Sequence, residues 1–599
     1  MANVHRVKQF LKSWWRLLII ALTPLILLPL PLVVNSIQAK CACVVLLLTI
    51  YWVFEVMPYA VTSLLPLAFF PMAGVISGDE IGHNYFKDIS TLFLGSMILA
   101  HAMEHVQLHR RLALFVLKIV GSSVKWSMAG LMIVTAFLSM WINNSAATSI
   151  MIPAAIAIID EFKNYDQQHH QTNQGQLQSE EILSVDGLTM LPMQIIGSSD
   201  DDEPLLAQES CDESVIELSP SIDHRSSSST RQFPLTKQQI DYKQLKTGFL
   251  ISVAYSAAVG GLGTLVGTGP NIFVKGFTDQ FYSNGSTAFE VSFANFTLFA
   301  FPMSLILIVL CWFWLQLLYN RKELFQWRKV DASVQESQKH VQSILKQQYE
   351  ALGSMNWQEG TIIILFFILL ILWVTRDFSN INGWSVLFRK GYVTDGTAAV
   401  LIGALPLILP NKNPLKSTAY NMFVLDIDNF ISENWDYNPI LEWNHLSKVF
   451  PWGVFMLQGA GLAIAEGFKR SDLSSTVATF LQFIVGTSRT VTILIVIIVS
   501  AILTEFTSNL ACASILFPIL DGMAKSTKIH PAYLIMSSCM GVSLSLMLPI
   551  ATPPNAMIFA SGDVRIRDLI RAGVGFKIIG ILVIFLASVT VLAPIFRIH

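Results

Sequence analysis

A chain of 599 residues that is 53% hydrophobic and 13% charged, with a mean hydropathy of +0.54, carries more apolar surface than a soluble fold can bury. It reads as an integral membrane protein. A formal net charge of −2 gives no reason to expect nucleic acid as a partner, and Cys41, Cys43, Cys211, Cys311, Cys512 and Cys539 show no disulfide or zinc spacing.

Residues 1–40 comprise a basic arm and a first helix. Arg6, Lys8, Lys12 and Arg16 precede the first apolar run, which lacks a small-residue cleavage site, so the run is expected to stay as a signal anchor with its N-terminus in the cytoplasm. Apolar stretches near 17–34, 42–58, 61–77, 90–106, 245–267, 295–318, 359–375, 393–410, 448–466, 529–549 and 569–594 predict about eleven transmembrane helices. Such runs exclude a β-barrel. Two more apolar regions, 125–160 and 487–523, are broken by small polar residues and are read as re-entrant hairpins, an ordinary helix pair being the plainer alternative. The expected fold class is an all-α polytopic membrane protein.

Residues 41–320 are assigned to a first repeat, 321–358 to a basic cytoplasmic linker and 359–599 to a second repeat. Within the first repeat, 161–244 is polar and Ser-rich and is expected to be a disordered cytoplasmic loop. Its DDEPLL stretch, 201–206, has the form of an acidic dileucine sorting signal and would suit an endosomal membrane. The sequons at Asn284 and Asn295 fall on the outer side, are candidate glycosylation sites and suit the plasma membrane.

Aligning the halves exposes a repeat. FLGSMILAHAME ends at Glu104 and FMLQGAGLAIAE at Glu466; Asn144 follows the first by 40 residues and Asn509 follows the second by 43, each with a proline nine residues on, Pro153 and Pro518. GTGPN, ending at Asn271, matches ATPPNA, with Asn555, once the 161–244 insertion is removed. An odd number of crossings separates the units, so the repeats are inverted, and SMWINNSAATS, TEFTSNLACAS, GTGPN and ATPPNA should converge near the midplane.

Unwound backbone survives at membrane depth only where it lines a protein-enclosed or watery cavity. The helix starts at Asn144–Ser145 and Ser508–Asn509 offer free N–H groups to an anion, while carbonyls freed beside Pro270, Pro553 and Pro554 suit a hard cation such as Na+. Only Lys275 stands close to these stretches in sequence, so the charge of a multivalent anion would be balanced by helix ends and co-bound cations. Interhelical hydrogen bonding, at about 0.6–2 kcal/mol each, is the bland explanation for isolated Asn and Ser in such helices. Repetition at matched spacing argues against it. Glu55, Glu104, Glu466 and Glu505 are read as helix-end or inter-domain partners and left outside the site, and the glycines of VGGLGTLVGTGP as close-packing positions.

In LSMWINNSAATSIMIP, GTLVGTGPNIFVKG, TEFTSNLACASILFP and LPIATPPNAMIF the chain resembles the divalent anion/sodium symporter family, the di- and tricarboxylate transporters, over almost its whole length. The resemblance implies a homodimer of eleven-helix protomers in membrane lipid, each with a scaffold and a transport domain that moves as an elevator. It implies a carboxylate held by Asn143, Asn144, Ser145, Gly269, Ser508, Asn509, Leu510 and Thr552. Na+, the co-transported ion, would be held by Asn144, Thr268, Gly269, Asn509, Ala551 and Pro553. The chain departs from the family's Ser-Asn-Thr tips at Asn143 and Leu510. The expected activity is secondary active transport of citrate, succinate and similar anions, with no enzymatic chemistry. A sulfate or other oxyanion carrier, a Na+-independent exchanger and a non-transporting anion sensor are the alternatives.

Overall fold

The computed structural model describes most of residues 2–160 and 242–598; residues 116–123, 161–241, 322–342, 377–382, 414–436 and 481–486, with scattered single positions, lie outside the described residues. The expected disordered loop, its dileucine stretch and the sequon at Asn284 therefore fall almost wholly outside them. Among the described residues the secondary structure is helical, and the one extended pairing is an isolated bridge between Pro410 and Pro439.

Twelve helices carry the repeat. In the first half they are α1 (Asp88–His105), α2 (Val124–Ser139), α3 (Asn144–Asp160), α4 (Tyr242–Leu262), α5 (Gly269–Phe281) and α6 (Phe293–Tyr319). In the second they are α7 (Trp452–Ser471), α8 (Arg489–Leu503), α9 (Asn509–Thr527), α10 (Pro531–Val542), α11 (Pro553–Ala560) and α12 (Ile566–Thr590). Each helix of the first half has its counterpart six places on.

Among the described residues, five helices are long and apolar enough to cross a membrane: Trp14–Val34, α4, α6, Trp357–Thr375 and α12. A sixth span arises if Trp443–Val449 and α7, which meet at a 62° bend, count as one. Other expected spans are shorter because the chain opens partway across. The expected 245–267 span stops at Leu262, and 529–549 is a helix only over Pro531–Val542. The 16-residue α2 and 15-residue α8 reach about 24 Å at 1.5 Å per residue, short of a ~30 Å hydrocarbon core. Each stops at a non-helical break, Met140–Asn143 or Thr504–Ser508, before the next helix begins. These are the breaks read as hairpin tips.

The packing repeats with the sequence. α2 lies on α4 as α8 lies on α10, and α4 lies on α6 as α10 lies on α12. The halves also interlock, since the half-helix α5 packs on α9 and α10 while α11 packs on α4. Close approach is built with small residues: a Cβ on Gly260 of α4 would stand 2.2 Å from the Ala136 carbonyl oxygen of α2. Large apolar side chains on the outer faces of α6 and α12, such as Val309, Phe313, Ile578 and Leu582, remain exposed, as lipid-facing positions require.

Candidate functional site

The two tips are helix N-termini with side-chain caps. At the first, Asn143 Oδ1 accepts the Ser145 N–H at 2.9 Å and the Asn143 carbonyl accepts the Ala147 N–H at 3.0 Å. At the second, Ser508 Oγ accepts the Ala511 N–H at 3.2 Å and its carbonyl accepts the Cys512 N–H at 2.9 Å. Asn143 thus fills the place of Ser508. A capping oxygen is what the position needs, and either residue type supplies one. Asn143 is exposed, and Asn144, Ser145, Ser508 and Asn509 are half-buried, so both tips meet open space.

Behind each tip lies an oxygen cluster. Ser139 Oγ stands 2.6 Å from Asn144 Oδ1 and 2.7 Å from the Ala257 carbonyl oxygen. Its counterpart Thr504 Oγ1 stands 2.8 Å from Asn509 Oδ1 and also reaches the Val542 carbonyl. A hydroxyl has one proton to donate, so each cluster gathers three oxygens around a single hydrogen. Such a nook is electron-rich and suits a small hard cation.

The partner loops repeat as closely. Thr268 and Thr552 are extended N-caps (φ −141° and −155°) that open α5 and α11 without a side-chain cap bond. Prolines occupy the first turns, Pro270 in α5, and Pro553 and Pro554 in α11, so these helix starts have few N–H groups to show. Tips rich in donors face loops rich in acceptors. The buried Asn271 ties its loop back through Nδ2 to the carbonyls of Gly261 (3.0 Å) and Thr264 (2.8 Å), ten and seven residues earlier. Asn555 does the same to Ser545 and Leu548, both at 3.2 Å and at the same intervals. These two amides hold the loops in shape. Thr268 Oγ1, by contrast, is buried with no hydrogen-bond partner among the described residues, as is Thr507 Oγ1 beside the second tip.

Contacts run from one tip to the other. A Cβ on Gly261 would meet Asn144 Oδ1 at 2.5 Å and Thr268 Cγ2 at 2.6 Å, which places the first tip against the first loop. A Cβ on Gly269 would meet Leu510 Cδ2 at 3.2 Å, which places that loop against the second tip. Cys539 of α10 reaches the Pro270 carbonyl at 3.5 Å. Ala551 and Thr552 are buried and Pro553 is exposed at the second loop. Lys275 is withdrawn into a buried group, 3.0 Å from Asp279, 3.2 Å from the Val291 carbonyl and 3.9 Å from Asp395, which Arg376 also pairs at 3.1 Å. Lys275 is therefore spent outside the tips.

A family model described as the sodium:sulfate symporter transmembrane region matches residues 11–597. The chain belongs to this family. It is 32% identical to Solute carrier family 13 member 1 of Mus musculus, over 98% of this chain and 96% of that one. It is 32% identical to Na(+)/dicarboxylate cotransporter 3 of Homo sapiens, over 100% and 95%. Solute carrier family 13 member 2 of Oryctolagus cuniculus is 35% identical over 99% and 95%.

Within this symporter frame, three features escaped the sequence reading. Ser139 and Thr504 each sit five residues before the tip asparagine, a spacing that the repeat alone could have revealed. Leu510 turns its side chain onto Gly269, so the polar groups it offers at the tip are those of its backbone. Glu505, read as a helix-end partner, clasps the second loop: its carboxylate accepts the N–H groups of Leu546 (2.9 Å), Met547 (3.1 Å) and Leu548 (3.0 Å). It pairs with Lys577 of α12, which also donates to the Ala501 carbonyl at 2.6 Å. Glu466 bonds Arg470 (3.0 Å) and Gln280 (2.7 Å), in the bridging role expected of it. At the start of α6, Asn295 spends its amide on the helix cap, accepting the Ser292 N–H at 2.8 Å and donating to the Glu290 carbonyl at 2.7 Å.

Proposed function

We propose that this protein is a secondary transporter that carries di- and tricarboxylates such as citrate and succinate across a membrane together with Na+. The observation that carries the proposal is the doubled oxygen nook, Ser139–Asn144–Ala257 and Thr504–Asn509–Val542, lying behind two N–H-bearing helix tips. An anion resting on both tips gains roughly half a positive charge from each helix end. Two hard cations in the nooks supply the rest. The name of the human relative, Na(+)/dicarboxylate cotransporter 3, supports this pairing of cargoes.

In this assignment Asn143, Asn144, Ser145, Ser508 and Asn509 face the carboxylates, with Gly269, Thr552 and the Leu510 backbone completing the wall. Na+ is taken by Asn144, Thr268 and Gly269 in one half and by Asn509, Ala551 and Pro553 in the other, with the hydroxyls of Ser139 and Thr504 added to the sets. With its Oδ1 committed to the cap, Asn143 turns its remaining Nδ2 donor toward the cargo, a fitting partner for a carboxylate oxygen. Elevator movement of a transport domain against a scaffold, a homodimeric state and residence in the plasma membrane belong to the same proposal.

Uptake of labelled citrate and succinate by cells expressing the chain, with Na+ replaced by choline in a parallel arm, tests it. Uptake of either anion that falls in choline supports coupled transport; uptake of neither defeats it. The family's sodium:sulfate description favours sulfate as the second reading. Sulfate that blocks citrate uptake and is itself accumulated would establish that reading instead.

A further inference from the structure

Where α4 and α12 begin and α6 ends, three helix ends meet. Lys246 at the start of α4 pairs with Asp563 at 3.0 Å, and Thr247 Oγ1 donates to the Asp563 carbonyl at 3.1 Å, joining α4 to the turn before α12. A Cβ on Gly248 of α4 would stand 2.9 Å from Tyr319 at the end of α6, and Tyr319 is within electrostatic reach of Asp568 and Arg571 of α12. Trp314 of α6 donates to the Ala572 carbonyl at 2.8 Å. Around this junction stand Lys243, Arg321, Arg565, Arg567 and Arg571, all exposed.

None of these five cations makes a salt bridge to an acidic side chain among the described residues. Elsewhere in the protein Arg111, Lys275, Arg376, Arg470 and Lys577 are each paired with a carboxylate, whereas the exposed Arg389, Lys448 and Lys528 make no salt bridge among the described residues but stand far apart in the chain. The unpaired cations also sit where lipid-facing stripes end. On α6, exposed Phe313 and Leu317 lead toward the helix end at Tyr319, and Arg321 follows two residues past it. On α12, exposed Val574 and Ile570 lead to Arg571 and Arg567. Acyl chains along those stripes would bring their headgroups to the cations.

We propose that this junction binds an anionic phospholipid of the cytoplasmic leaflet, with its phosphate groups among Arg321, Arg567 and Arg571. Clustered Lys and Arg just inside a membrane helix attract such headgroups, each worth about a fivefold gain in affinity. A second copy of the chain is the poorer occupant, because a two-fold interface here would set one unpaired cation cluster against another.

Full-length protein in nanodiscs of phosphatidylcholine, with and without a small fraction of phosphatidylinositol bisphosphate or phosphatidylserine, tests the proposal by native mass spectrometry of retained lipid. Wild type should retain the anionic lipid, each of Arg321→Gln, Arg567→Gln and Arg571→Gln should lower its apparent affinity about fivefold, and raised salt should displace it. Equal retention by the wild type and the triple variant would overturn it. So would complete competition by soluble inositol trisphosphate at matched phosphate concentration, which would mark a free-phosphate site, or a dimer that crosslinks across this face in every lipid. Should the triple variant fail to fold, wild-type retention that ignores salt is the overturning result.

Discussion

The first and second halves of the molecule solve one problem in two ways beside the hairpin tips. In the first half, the stretch between α4 and α5 is held to the hairpin by Thr264 Oγ1, which donates to the Met140 carbonyl at 2.6 Å, and the space around Gly263 is filled by Met140 Cε and Ser304, 3.2 and 3.5 Å from where a Cβ would stand. In the second half, the residue matching Met140 is Glu505 and the residue matching Ser304, eleven positions into its long helix, is Lys577. A hydroxyl and a thioether on one side are replaced by a buried ion pair on the other. The capped tips, the oxygen nooks and the Asn271 and Asn555 straps are duplicated nearby. The difference teaches that the shared geometry does not require the charges, so the Glu505–Lys577 pair is an additional fastening of the second loop.

The largest effect that would break this comparison is at the tips. Asn144→Ala and Asn509→Ala each remove an amide oxygen from a nook and should abolish citrate uptake while surface biotinylation stays normal; ordinary flux in either would remove that half from the site. Next comes the fastening. Glu505→Gln leaves Lys577 buried without its counter-charge, a cost of about 3–5 kcal/mol, and should lower the folded, surface-expressed fraction sharply. The double variant Glu505→Met with Lys577→Ser copies the first half and should recover much of that loss. Expression as poor as the single variant would mean that the second half depends on its charges.

A smaller effect is expected at the hydroxyls. Ser139→Ala and Thr504→Val each delete one oxygen from a nook, worth about 1 kcal/mol, and should raise the Na+ concentration for half-maximal uptake roughly fivefold. An unchanged Na+ activation curve in both would argue that the nooks hold no ion. Smallest is Asn143→Ser, which keeps a capping oxygen and removes the amide donor. It should change the citrate KM a few-fold and leave the maximal rate within about a factor of two.

Much of this architecture was legible because membrane chemistry makes certain residues conspicuous. Asn143, Asn144, Ser508 and Asn509 stand out in apolar runs, and Pro270, Pro553 and Pro554 announce where hydrogen-bonded helix must stop. Their matched intervals carried the repeat. What stayed hidden depends on distance along the chain or on direction in space. Lys577 lies 72 residues from Glu505, so a lone acidic residue near a helix end gave no sign that its carboxylate clasps three consecutive N–H groups. Ser139 looked like any helix hydroxyl, since Ala257 comes to it across 118 residues. The eleven expected spans were harder still to delimit, because hydropathy counts apolar residues and is blind to a helix such as α10 that ends at Val542 while the apolar chain runs on.

The straps made by Asn271 and Asn555 bear on the empty carrier. Each opened segment is laced by a side chain of its own fold and so holds its form without a ligand; on the proposed function, it would keep that form after the cargo has left. A chamber that does not slump when vacant could make the return journey unladen, which is the step a coupled symporter needs and a strict exchanger of anions can do without.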